Sequence, residues 1–416
     1  AGLSDSLEIF HLYAHANTSS MEESRVLVNF PVQTIITDRS SSAVPASGSV
    51  TWYLRMFNVK HPFTLPKNYY MAIQAVSGAW DEGQGVDFDS RRDLDTANWE
   101  SRSLGNAWLT GGGDFYSDIA KSAYFDSGEE DLEVNISDIV EQWIAGTKTQ
   151  HGLVVKLSGS YETDPESYYS KKFSARGSEF FFKRPILEAR WNDARQDKRG
   201  NFYASSSLAS ATDNLNTIFL YNYIRGTLTN IPGVDTGAMY VYLYTDRISG
   251  SQVTATPTNP VTGGWVATGI YSASFAVNTT SSTLYDRWYS GSTYFYTGSL
   301  SLKRFGEEET WEYSPEYVSK ITNLKDEYSQ QERSAKFRVY SRLKNWHPTI
   351  YTKATNQLVL NNPENAYYKI YRVIDNLEVV GYGTGSDNHT LMSYDASGSY
   401  FNFDMANLQS DNMYGM

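Results

Sequence analysis

The sequence predicts an all-β chain, organised as three β-sandwich or jelly-roll modules in series. Three observations carry this. Short runs of aromatic and β-branched residues alternate with polar ones at period two, as half-buried strands do. Gly, Pro, Asn and Asp gather between the runs, where tight turns need them. Thirty-two Tyr, 19 Phe, 10 Trp and 30 Gly among 416 residues supply both needs.

The first module is expected over residues 1–195. Its strands are SLEIFHLY (6–13), SRVLVNF (24–30), VTWYLRMF (50–57), YYMAIQAV (69–76), LEVNI (132–136), GLVVKL (152–157), KKFSAR (171–176) and PILEARW (185–191). One short helix is expected, SDIVEQWIAG at 137–146. There Ser137 or Asp138 caps the start, and Glu141 completes a capping box. Ile139, Val140, Trp143 and Ile144 share one face, and Gly146 stops the helix. The basic residues of KKFSAR are expected on an exposed edge, where charge limits unplanned pairing. A second sandwich is expected over 200–306, with strands at 217–229, 239–246, 264–277, 283–289 and 292–305. An acidic linker, 307–316, leads to a third sandwich over 317–416, with strands at 317–324, 335–342, 349–355, 367–375, 378–382 and 398–405.

Composition removes several function classes. At 40% hydrophobic the chain can bury real cores. A net charge of −12 argues against a nucleic-acid partner, which requires a basic footprint. The absence of Cys excludes disulfides, thiolate metal sites and Cys catalysis. No run of 18 apolar residues exists, so no membrane-spanning helix and no membrane partner are expected. The chain opens on AGLSDSLEIF, already a strand lead-in without Met, and residues upstream are expected to be missing.

Few local patterns carry chemistry. WDEGQGVDFDSRRD (80–93) offers Asp81, Glu82, Asp87 and Asp89 as oxygen ligands for Ca²⁺, but not at EF-hand spacing. The alternative is a solvated connecting loop. TGGGDFYSD (110–118) lacks the Lys-Ser/Thr of a phosphate loop and reads as a flexible or bulged turn. His11 and His15 lie four apart, which leaves a wide gap on a strand. No G-x-S-x-G or other triad signature is present. Catalytic residues are therefore not assigned. Trp80, Trp99 and Trp108 fall in the long loop region of the first module. Sugar stacking is one reading of them, and anchoring the loop into the sandwich edge is the other.

Order and spacing over residues 1–191 resemble the DNRLRE-type jelly-roll module. The matching residues are Trp143 and Gly146 at the helix end, then Gly152, Leu153 and Lys156 in the next strand. Phe173 and Arg176 follow in KKFSAR, then Arg184, Pro185, Leu187 and Trp191 in the closing strand. The literal DNRLRE string is absent, and SARGSE stands in its place. Such modules occur in cell-surface, polysaccharide-associated and phage proteins. Segments 342–355, 366–385 and 393–405 resemble virion structural proteins of tailed phages, notably marine and cyanobacterial phages with contractile tails. The resemblance implies a non-enzymatic structural protein of a phage virion, in the neck, collar, tail or head-decoration layer. Its partners would be other virion proteins and further copies of itself. The alternative is an extracellular carbohydrate-binding protein or adhesin that contacts a host surface glycan.

Overall fold

The computed structural model describes residues 2–86, 93, 95–165, 168–304, 315–355, 361–385 and 387–416. Strands hold 40% of the residues and helices 9%, so the fold is all-β. The chain divides into two compact units, Ala1–Asn192 with Thr384–His389, and Asp193–Gly383 with Thr390–Met416. The second and third modules of the sequence reading both fall in the second unit, with a separate core for each. Most of the linker read at 307–316 lies outside the described residues.

The first unit contains strands β1 (Ser6–Tyr13), β2 (Met21–Glu23), β3 (Val26–Val28), β4 (Thr51–Met56), β5 (Tyr69–Val76), β6 (Ser101–Ser103) and β7 (Asn106–Ala107). It continues with β8 (Phe115–Phe125), β9 (Leu132–Asn135), β10 (Leu153–Leu157), β11 (Tyr168–Ser174) and β12 (Ile186–Arg190). Its helices are α1 (Val32–Ser40), α2 (Ser137–Ile144) and α3 (Gly159–Glu162). Three sheets, ordered β11-β1-β2, β3-β10-β5-β8 and β12-β4-β9, share one core, and β6 and β7 form a separate hairpin. Period-two alternation places the core residues. Trp52, Leu54 and Met56 point inward from β4, and Tyr69, Met71 and Ile73 from β5. Leu187 and Ala189 pack inward from β12, while Glu188 and Arg190 join Arg55 in an ion network on the opposite face.

The helices of this unit depart from the sequence reading, which expected α2 alone and neither α1 nor α3. α1 was not expected, because Val32, Thr34, Ile35, Ile36 and Thr37 favour strands by propensity. Spacing prevails instead: Val32, Ile35 and Ile36 pack on the core, and Arg39 on the same side binds Glu141 of α2. α2 forms where expected, with Ile139, Val140 and Trp143 buried and Gly146 at φ +72° just past its end. Its capping box does not form. Ile136 is the N-cap, Ser137 Oγ accepts the Trp52 N–H at 2.9 Å, and Glu141 accepts the Trp52 indole N–H at 2.9 Å. Strand β4 competes for both side chains and wins them.

KKFSAR also departs from expectation. Lys171 is not an exposed edge guard but is fully buried. Its ammonium donates to Asn58 Oδ1 at 2.7 Å, Gly128 O at 2.7 Å and Glu130 O at 2.8 Å. It also lies 5.0 Å from the ring centres of both Phe125 and Phe173. Burial pushes its pKa down to about 8, against the attraction of Glu130, Asp131 and Glu129. The 126–131 turn is thus held from below. From above, the Glu130 carboxylate accepts the N–H groups of Asp126, Ser127 and Gly128.

In the second unit, the strands Phe202–Tyr203, Thr293–Lys303, Thr283–Ser290, Ala238–Tyr244, Val261–Ala267, Ile270–Val277 and Asn216–Tyr221 pair in that order. The sheet is nearly closed. Ala204 N–H bonds Lys303 O and Ser205 N–H bonds Val277 O, so one short segment links distant strands. The Asn216 side chain adds two bonds to the backbone of Tyr203. Inside lie Ile218, Met239, Tyr271, Phe275, Trp288 and Leu300. Asp286 is also fully buried and pairs with Arg199 at 2.7 and 2.8 Å, while Trp288 donates to it at 2.6 Å. Gly298 sits directly across the ladder from Asp286, and a Cβ there would run into the Arg199 guanidinium. The unit's other core centres on Phe337, Ile370, Phe401 and Phe403. TIYTKAT, expected as a strand, is a helix at Ile350–Thr355. Ile350 and Tyr351 remain more than 80% exposed, so no sheet edge recruits them, and Thr349 Oγ1 accepts the Thr352 N–H at the helix start.

Two variants test these buried charges. K171M leaves three acceptors without a donor and should cost about 3 kcal/mol in urea unfolding at pH 7. Between pH 8 and the ordinary lysine value of 10.5, the unfolded chain binds the extra proton, so stability from Lys171 rises with pH. The gap between wild type and K171M should therefore widen from pH 8 to 10; a constant gap would contradict a depressed Lys171. G298A should destabilise the second unit by about 2 kcal/mol or more, read as a lower melting temperature of that transition.

Candidate functional site

The candidate site grows from the outer face of the sheet β3-β10-β5-β8. β10 reads LVVKL, and both of its faces are covered. Leu153, Val155 and Leu157 enter the main core, while Val154 points the other way and joins Val76 and Trp108 in a small second cluster. Leu27, Trp80, Ala97 and Phe115 pack around that cluster. The described parts of the 77–114 segment therefore cover an apolar patch of the sheet face. Backbone bonds brace it: Asp81 N–H to Arg102 O, Ala97 N–H to Asp81 O, and Trp108 N–H to Glu100 O. The indole N–H of Trp80 donates to His151 O at 2.7 Å and that of Trp108 to Asn98 O at 2.9 Å.

Where this loop meets β2 and β3, a cleft of about 760 Å³ opens. Trp80, Trp99 and Trp108, singled out from the sequence, all line it, as do Asp81 and Glu82. Pro185 and Arg176 lie at the same cleft. The three indoles are not equivalent. Trp108 is 7% exposed and serves mainly as an anchor, whereas Trp99 is 39% exposed. The Arg25 guanidinium lies 4.7 Å from the Trp99 ring centre and 5.8 Å from that of Phe115. Glu162 grips that guanidinium at 2.8 and 3.0 Å, Lys156 adds a bond to Glu162 at 3.2 Å, and Arg25 donates to Gly112 O at 2.9 Å. Gly112 has φ +84°, and a Cβ would stand 2.5 Å from Arg25 Nη1, so this position in TGGGD requires Gly. The triple-Gly turn is thus a seat for Arg25, and the unexpected strand β8 begins directly after it.

Glu23 also lines the cleft. Burial raises its pKa, and the neighbouring Glu162 adds to this against Arg25 and Lys156. Arg25, Glu23 and Glu162 escaped the sequence reading because 137 residues separate Arg25 from Glu162 and no local pattern marks either. Lys156, a match to the family pattern, was the nearest available signal.

The Ca²⁺ candidates divide. Asp87 and Asp89 lie outside the described residues. Asp81 and Glu82 are at the cleft, with Glu82 paired to Arg176 at 2.8 Å. Among the described residues, no three acidic or His side chains gather as metal ligands do. His11 and His15 do not form a pair: His11 is fully buried beside Tyr169, and His15 bonds Glu22 at 3.0 Å on the exposed side. Of the other family-pattern residues, Trp143 and Phe173 are buried in the core and Trp191 packs against it.

No known protein family, curated protein or solved structure matches this chain.

The two roles of Trp are separable by experiment. W108A should lower stability by about 3 kcal/mol, because it empties the second cluster. W99A should stay within about 1 kcal/mol of wild type in the same urea titration. Equal losses would mean that Trp99 is also an anchor.

Proposed function

We propose that this chain is a non-enzymatic binding protein of an extracellular assembly, and that its first unit holds a saccharide in the cleft. The observation that carries the proposal is convergence. Three Trp residues spread over 80–108 line one cleft of about 760 Å³, a size suited to a bound small ligand. A pyranose ring presents an apolar C–H face that packs on an exposed indole, and hydroxyls that bond to polar neighbours. Trp99 offers the indole. Affinity electrophoresis through polysaccharide gels, backed by a glycan array, tests the reading. Wild type should be retarded, and W99A should lose about tenfold in affinity while staying folded. No retention on any polysaccharide would remove the saccharide reading. Turnover of a retained polysaccharide would remove the non-enzymatic one.

The setting we propose is a tailed-phage particle, with the chain as a structural component. A feature of the second unit favours assembly. Tyr240, Tyr242, Tyr244, Tyr285, Tyr289 and Tyr294 project from one face of three neighbouring strands, opposite the buried Trp288 and Leu243. Tyr242 and Tyr289 meet edge to face at 5.4 Å, and Tyr289 lies 5.6 Å from Tyr294. Tyr is enriched at protein interfaces, because its ring is apolar and its hydroxyl tolerates water. Imaging a particle with antibody against the chain would test the setting, and finding it only as free monomer in culture fluid would count against it.

A further inference from the structure

The cleft's charge narrows the ligand class; this inference rests on the saccharide reading above and deepens it. Carboxylates of Glu8, Glu23, Asp81, Glu82 and Asp93 line the cleft, against the guanidiniums of Arg25 and Arg176. Both guanidiniums are already held, Arg25 by Glu162 and Arg176 by Glu82. Glu8 is matched by Lys172 at 3.1 Å. Glu23 and Asp81 have no ion-pair partner among the described residues. Two neutral side chains at the cleft are committed as well. Ser24 Oγ donates to Glu8 O and accepts from Phe10 N–H, and the Asn98 amide bonds Thr96, Glu100 and Ser101.

Among the charged side chains described at the cleft, what remains to meet a ligand is therefore negative and acceptor-only. Among the described residues, an anionic glycan would find no unpaired cation lining the cleft, and its carboxylates would face Glu23 and Asp81. A ligand that brings N–H⁺ donors would satisfy both carboxylates. Burial and Glu162 both disfavour the charged form of Glu23, and a bound cation would relieve this. Arg25 lies over the Trp99 ring, and the indole is still 39% exposed for a sugar ring to meet.

We propose that the cleft takes a saccharide bearing protonated amines, with a ring stacked on Trp99 and ammonium groups at Glu23 and Asp81, and that it rejects uronate-bearing glycans.

Calorimetric titration of the full chain with three probes tests this, at about pH 6 and with EDTA present so that no metal bridges the contact. The probes are an oligomer of glucosamine, its N-acetylated counterpart and an oligogalacturonate. The glucosamine oligomer should bind about tenfold tighter than the acetylated one at low salt, and the advantage should shrink as ionic strength rises. The oligogalacturonate should not bind. E23Q and D81N should each lower affinity for the glucosamine oligomer, and near-isosteric replacement keeps the fold intact for that comparison. Equal affinity for the amine and acetylated probes, or preference for the uronate, overturns the charge selection and leaves saccharide binding standing. Binding of none of the three, together with a blank glycan array, overturns the parent reading as well.

Discussion

Strand β10 buries an apolar residue on each of its faces, and the arrangement of the first unit follows from covering both. One face completes the main core through Leu153, Val155 and Leu157, while the other exposes Val154 beside Val76. Water cannot be left against that second face without losing its burial energy. The described parts of the 77–114 segment therefore lie over it, pinned by Trp80 and Trp108. Covering is incomplete at the edge near β2 and β3, and the rim of the cover becomes the cleft. The cover and the cleft thus share one segment: Trp108 sits inside the cover and Trp99 at its margin.

Buried charge is the second organising element. Lys171, the Arg25–Glu162–Lys156 group and the Arg199–Asp286 pair are all withdrawn from water, and each finds hydrogen-bond partners in good geometry. A withdrawn charge without such partners is strongly destabilising, so these groups tolerate few alternatives in their surroundings. Room is made by removing side chains. Gly112 stands against Arg25 and Gly298 against Arg199 because a planar guanidinium needs the space a Cβ would take. At the cleft, Arg25 and Arg176 are matched by Glu162 and Glu82, while Glu23 and Asp81 have no ion-pair partner among the described residues.

Several elements were legible from residues alone. SLEIFHLY and YYMAIQAV form strands with the bounds expected of them, and VTWYLRMF, GLVVKL and PILEARW differ only at their ends. These runs alternate strongly, and alternation is a local property. The misreadings have a common origin. VQTIITDRS has strand-forming residues but helical spacing, and the core selected the spacing. TIYTKAT has strand-forming residues but no sheet edge to pair with. FYSDIAKSAYF gathers most of its strand formers at its two ends, yet it pairs along β5 because an edge was available. Lys171 looked like a surface residue because nothing near it in sequence announced three converging oxygens.

Read alone, the residues settle that the chain is all-β, roughly where its strands run, and which three Trp belong to one loop region. Those features depend on alternation and composition within a few neighbouring positions. Folding settles the rest: which indole stays accessible, that Arg25 finds Glu162, that Lys171 is buried, and that Glu23 and Asp81 face one cleft unmatched. Each of these is a meeting of groups far apart along the chain, and their distances and desolvation exist only once the sheets have closed around a core.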